Sequence, residues 1–98
     1  MGDSSMRTAA RRDANEGTIT DYLDDQEIMW FPISSPGIFD LLVAYRGRWL
    51  LLEVKSKYGK LTEKQHLFMR AVRSEKLTPP AFVVRDIEDV KLALSMST

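Results

Sequence analysis

The fold turns on the stretch Gly37-Ile-Phe-Asp40-Leu-Leu-Val-Ala-Tyr45-Arg-Gly47-Arg-Trp-Leu-Leu-Leu-Glu53-Val-Lys55. Two apolar runs flank Arg46-Gly47-Arg48, which predicts a β-hairpin with its turn at that tripeptide. Asp40 falls three residues into the first run, and Glu53 and Lys55 close the second. Side chains alternate along a strand, so Glu53 and Lys55 share one side, roughly 6–7 Å apart, while Val54 points into the core. Pairing around Gly47 brings Asp40 toward the Glu53 end of the partner strand. Two carboxylates and an ammonium then converge on an apolar sheet, where uncompensated charge is expensive. The spacing predicts a bound metal ion or a closed ion-pair network there.

Upstream, broadly helical spacing from Arg7 to Asp25 puts Ala10, Ala14, Ile19, Tyr22 and Leu23 on one face. Gly17 weakens that helix by about 1 kcal/mol relative to alanine, which allows a later start with Asn15 or Thr18 as N-cap. Met29-Trp-Phe-Pro-Ile33 reads as a short strand, and Pro32 places it at an edge. Ser34-Ser-Pro-Gly37 is a turn. Downstream, Ser56 to Leu61 is a lysine-rich loop. Thr62 and Gln65 form a capping box for a helix running to about Lys76 that buries Leu67, Phe68, Ala71 and Val72. Thr78-Pro-Pro80 stops it. Ala81 to Arg85 is a β-branched strand, and Asp86 caps a last helix with Ile87, Val90, Leu92 and Leu94 as its apolar surface.

The expected order is α-β-β-β-α-β-α: an α/β fold whose mixed sheet is flanked by helices and contains one parallel crossover. Ninety-eight residues suit one domain, taken as residues 7–98, with 1–6 read as a disordered start or tag remnant. Zero formal net charge makes no global case for a polyanion, so nucleic-acid binding would need a local patch. The absence of cysteine excludes disulfides and thiolate metal sites. No apolar run approaches the ~20 residues of a membrane helix. These bounds predict a soluble, cytoplasmic protein with no membrane partner. The chain also has no phosphate-loop glycine signature and no zinc spacing, so no nucleotide cofactor is expected.

The chemistry that fits Asp40, Glu53 and Lys55 is metal-dependent hydrolysis. Mg²⁺ or Mn²⁺ takes oxygen ligands, commonly one or two carboxylates with waters and substrate phosphates. Asp40, Glu53 and the Val54 carbonyl supply such donors, while Lys55 would steady negative charge developing on a phosphate. An E-x-K triplet alone is more often a strand-end salt bridge. Its place after a long apolar run, with Asp40 in the preceding one, favours the site. Lys57, Lys60 and Lys64 crowd the adjoining helix start, a natural phosphate-binding surface, and Arg12 with Arg7 and Arg11 offers a second strip. His66 reads as a surface residue. Trp30, Phe31 and Trp49 read as core or interface before they read as base-stacking platforms.

Asp40, then Glu53-Val-Lys55, resembles the PD-(D/E)XK nuclease superfamily. The wider pattern Gly37-x-x-Asp40, Glu53-Val-Lys55 and Gly59-Lys-Leu-Thr-x-x-Gln65 is similar to its compact VRR-NUC branch of phage and repair nucleases, over about residues 15–92. The resemblance implies a restriction-endonuclease-like core and a DNA endonuclease in bacterial or phage-infected cytoplasm. It also implies a glutamate from the first helix, mapped to Glu16, reaching the metal, and Gln65 acting at the site as well as in its capping box. Small dimeric relatives imply a homodimer acting on branched DNA such as four-way junctions, with Met29, Trp30 and Phe31 available for self-association. One departure is Phe39, where the family usually has proline. The competing expectation is a non-catalytic nucleic-acid-binding module whose Asp40, Glu53 and Lys55 form a structural ion-pair network. A third class, a subunit-interaction domain, would bind neither metal nor DNA.

Overall fold

The computed structural model describes residues 15–34, 39–74 and 78–97. Seven elements follow in the expected order: α1 (Asn15–Asp25), β1 (Met29–Pro32), β2 (Leu41–Tyr45), β3 (Arg48–Val54), α2 (Glu63–Ser74), β4 (Ala81–Val84) and α3 (Ile87–Met96). The four strands lie in that order across one sheet. β1 and β2 pair antiparallel, as do β2 and β3, and β4 joins β3 in parallel after α2. The α/β class and the mixed sheet expected from the sequence are therefore borne out. Among the described residues no helix is long and apolar enough to cross a membrane.

The hairpin turn is two residues long, because Arg48 pairs with Tyr45 and belongs to β3. Arg46 and Gly47 both have positive φ, 52° and 79°. That backbone matches the twist of the flanking strands, and it is the reason a glycine is needed at the second position.

Strand alternation splits the core in two. Leu41, Val43, Leu50, Leu52, Val54 and Val84 pack with Ile19 and Leu23 of α1 and Val90, Ala93 and Leu94 of α3. The opposite side of the sheet, with Leu51, Ala81 and Val83, packs against Phe39 and α2 through Phe68, Met69 and Val72. The capping box at the start of α2 is formed, with the Gln65 amide donating to Thr62 Oγ1 and the Thr62 amide donating to Gln65 Oε1. Asp86 caps α3 through the Asp89 amide.

Several sequence expectations are corrected. α2 buries Met69 and Val72, while Leu67 and Ala71 are exposed, because the arc of the helix that meets the sheet is rotated from the expected one. Leu92 of α3 is exposed, and Ala93 takes its place in the core. Trp30 is no spare surface: it packs against the main core, and its Nε1 donates to Asp24 Oδ1. Asp40 lies just before β2, not inside a strand. The expected helix over 7–14, the turn residues up to Gly37 and the helix end at Lys76 fall outside the described residues.

Two glycine substitutions test the local backbone. Gly47→Ala should destabilise the fold by about 1–2 kcal/mol because φ is positive there. Gly17→Ala, in a helix with open space around it, should stabilise by about 0.5–1 kcal/mol. Urea unfolding of both variants reads the opposite signs directly.

Candidate active site

The end of β3 carries the site. Leu41 pairs with Leu52, and the Asp40 amide also donates to the Leu52 carbonyl, which sets Asp40 beside Glu53. Asp40 Oδ2 accepts the Val54 amide at 2.7 Å, so a carboxylate takes the main-chain donor of the last β3 residue. Glu53 is 2% exposed and projects from the α2 side of the sheet. Gln65 Nε2 donates to Glu53 Oε2 at 3.0 Å, and Lys55 Nζ lies 3.6 Å from that same oxygen. Gln65 makes two contacts, its Oε1 closing the capping box while its amide nitrogen donates to Glu53. Glu53 Oε1 is buried with no partner among the described residues.

Burial, and after it the neighbouring Asp40 carboxylate, raise the Glu53 pKa to about 8 against a lowering by Lys55. The carboxyl pair therefore retains a proton near neutrality. A divalent cation is a partner of another kind for the same oxygen, and an orphaned carboxylate oxygen beside a second carboxylate fits hard-cation chemistry. Among the described residues no three or more histidine, aspartate or glutamate side chains gather as a metal cage. The donors are the two carboxylates, a number that Mg²⁺ commonly accepts with waters and phosphate.

The remaining expected residues are distributed as follows. Val54 is buried, and its amide holds Asp40. Glu16 is buried in the first turn of α1. Lys57, Lys60 and Lys64 are exposed around the loop and the α2 start. Arg12 lies outside the described residues.

Sequence reasoning missed two residues that fix this corner. Asn15 Nδ2 donates to the carbonyls of Lys55, at 2.9 Å, and Arg85, at 2.6 Å, tying the start of α1 to the ends of β3 and β4. Arg85 Nη1 donates to the carbonyls of Ser56 and Gly59, each at 2.6 Å, and clamps the lysine loop. A Cβ at Gly59 would meet Ser56 Oγ at 2.9 Å and Lys55 Cδ at 3.6 Å, so glycine lets the loop close against Lys55. Separations of 26 to 70 residues hide these bonds from any local pattern.

No known protein family matches the chain, and neither a curated protein nor a solved structure does.

The folded chain holds the Glu53 proton to about pH 8, against 4.5 for the ordinary carboxyl. Between those values the folded state binds more protons than the unfolded one. The Glu53 contribution is therefore fully present below about pH 4.5 and is lost as pH rises through about 8. Urea melts of the metal-free protein across this window should show the decline, and Glu53→Gln should flatten it. Equal slopes in both proteins would refute the assignment.

Proposed function

We propose that this chain is a divalent-metal-dependent nuclease that hydrolyses DNA phosphodiester bonds, in the manner of the VRR-NUC branch of the PD-(D/E)XK superfamily. The observation that carries the reading is the buried, unpartnered Glu53 oxygen beside Asp40, with Lys55 at the same carboxylate. A second carboxylate set beside this buried acid is more than the Glu53–Lys55 ion pair needs, which favours the metal-dependent reading over the binding module. The sheet with helices on both sides, and carboxylates where β2 begins and β3 ends, suits a restriction-endonuclease-like core.

Asp40 and Glu53, with the Val54 carbonyl, would hold Mg²⁺ or Mn²⁺. The cation supplies Lewis-acid polarisation of the phosphate and acidification of water. The protein's own part is positioning and charge. The Val54 amide pins Asp40, Gln65 pins Glu53, and neither carboxylate need reorganise during reaction. Lys55, with a side chain 15% exposed, can face a phosphate while staying beside Glu53. There it opposes the negative charge that accumulates as water attacks phosphorus. Lys57, Lys60 and Lys64 supply further contacts to the backbone of the substrate.

Branched DNA as substrate and a homodimer as the working form belong to this proposal. Met29, Phe31 and Trp49 remain 59%, 46% and 46% exposed on strands β1 and β3, and Phe31 and Trp49 sit with ring centroids 6.3 Å apart. Apolar surface of this kind suits a second copy, which would place two sites for cutting two strands.

Labelled linear, flap and four-way-junction DNA should be cut with Mg²⁺ or Mn²⁺ and not in EDTA. Lys55→Ala should lower the rate roughly 10²–10³-fold, as loss of one preorganised charge contact does. Paired symmetric cuts in the junction support the dimer. Binding without cleavage under any metal would replace the enzyme with the binding module.

A further inference from the structure

A groove opens beside the site, between α2 and the outer edge of the sheet. It encloses about 650 Å³, within the usual range for ligand sites. Leu61, Met69 and Val83 give it an apolar floor, and His66, Arg70 and Arg73 stand exposed along its rim. The helix spacing 66, 70 and 73 puts the three on neighbouring turns of one flank. Among the described residues no carboxylate lines the groove and neither arginine forms an ion pair.

The β3–β4 register connects this groove to the carboxylates. Glu53 pairs in parallel with Val83, so the floor of the groove begins on the strand next to Glu53, about 4.8 Å away. Gln65, which holds Glu53, immediately precedes His66 on the rim. β4 is the edge strand, so nothing further in the sheet closes that side. A smaller groove of about 260 Å³ lies across β4 against α3, but Asp89 lines it together with Arg73.

We infer that the groove between α2 and β4 is a nucleotide-binding channel, which receives the nucleic-acid strand next to the bond cut at Asp40 and Glu53. A base lies on Leu61, Met69 and Val83, and phosphates face Arg70 and Arg73. This inference rests on the nuclease reading for its direction but not for its chemistry. Two guanidinium groups over an apolar floor, with no ion pair among the described residues, match a polyanion that carries flat apolar faces. An otherwise neutral chain thereby gains a local basic track that leads away from its site.

The test is anisotropy with a short labelled single-stranded oligonucleotide in EDTA, so that binding is read without cleavage. Salt is varied from about 50 to 200 mM. The double variant Arg70→Gln, Arg73→Gln should bind several-fold more weakly, and its dependence of log affinity on log salt should be shallower by about 1.4, two phosphates on a single strand. Lys91→Gln, on exposed α3 surface, is the control and should leave the slope unchanged. An abasic oligonucleotide of the same length should bind the wild type less tightly, and Leu61→Ser should shrink that difference. An unchanged slope in the arginine variant would overturn the channel. So would polyglutamate that binds as tightly as the oligonucleotide through the same arginines, since the groove would then belong to an acidic protein partner. The two readings fail separately. Arginine-dependent binding with no cleavage under any metal keeps the channel and removes the nuclease. Metal-dependent cleavage with wild-type affinity in the arginine variant does the reverse.

Discussion

A carboxylate cannot be buried at the end of an apolar strand without reshaping its surroundings, and Glu53 is such a group. Each neighbouring feature answers its charge in part. Lys55 approaches one oxygen, Gln65 donates to the same oxygen, and Asp40 pushes the pair toward holding a proton. The other oxygen receives no protein partner among the described residues. Without a further partner the site favours a protonated carboxyl. Apolar walls make the choice matter, because charge in low dielectric is felt far more strongly than at the surface.

Around that corner the backbone is held by charge and amide groups from remote parts of the chain. Asn15 ties α1 to the ends of β3 and β4, and Arg85 grips the loop that follows Lys55. Both donate to main-chain carbonyls, so the loop keeps its shape without drawing its own lysines into ion pairs. The main core lies on the other side of the sheet from α2 and Glu53. The larger core and the buried acid therefore lie on opposite faces of one set of strands.

Much of this was legible in the sequence, for physical reasons that can be named. The hairpin shows because strand alternation and a glycine at a tight turn are local constraints. The capping box shows because Thr62 and Gln65 bond across one helical turn. The convergence of Asp40, Glu53, Lys55 and Gln65 follows from those two local facts. The sequence pattern places Asp40 inside the first hairpin strand, whereas β2 begins at Leu41, because strand limits depend on pairing with a neighbour. Leu67 was assigned to the core because periodicity identifies a stripe without saying which side of it meets the sheet. Met69 differs from Leu67 by two positions on the helix, and only the packed structure separates them. Asn15 and Arg85 act through long-range contacts, and no spacing rule reaches them.

The two-residue turn at Arg46 and Gly47 stands at the far end of the hairpin from the carboxylates. Strand pairing has a parity: a slip of one residue would send every β3 side chain to the opposite face. Leu52 would then occupy the place of Glu53, and the acid would be driven into the main core. By favouring the register that pairs Tyr45 with Arg48, the turn decides from the far end of the hairpin which face receives Glu53. The placement of the buried acid is therefore tied to the length of a distant loop.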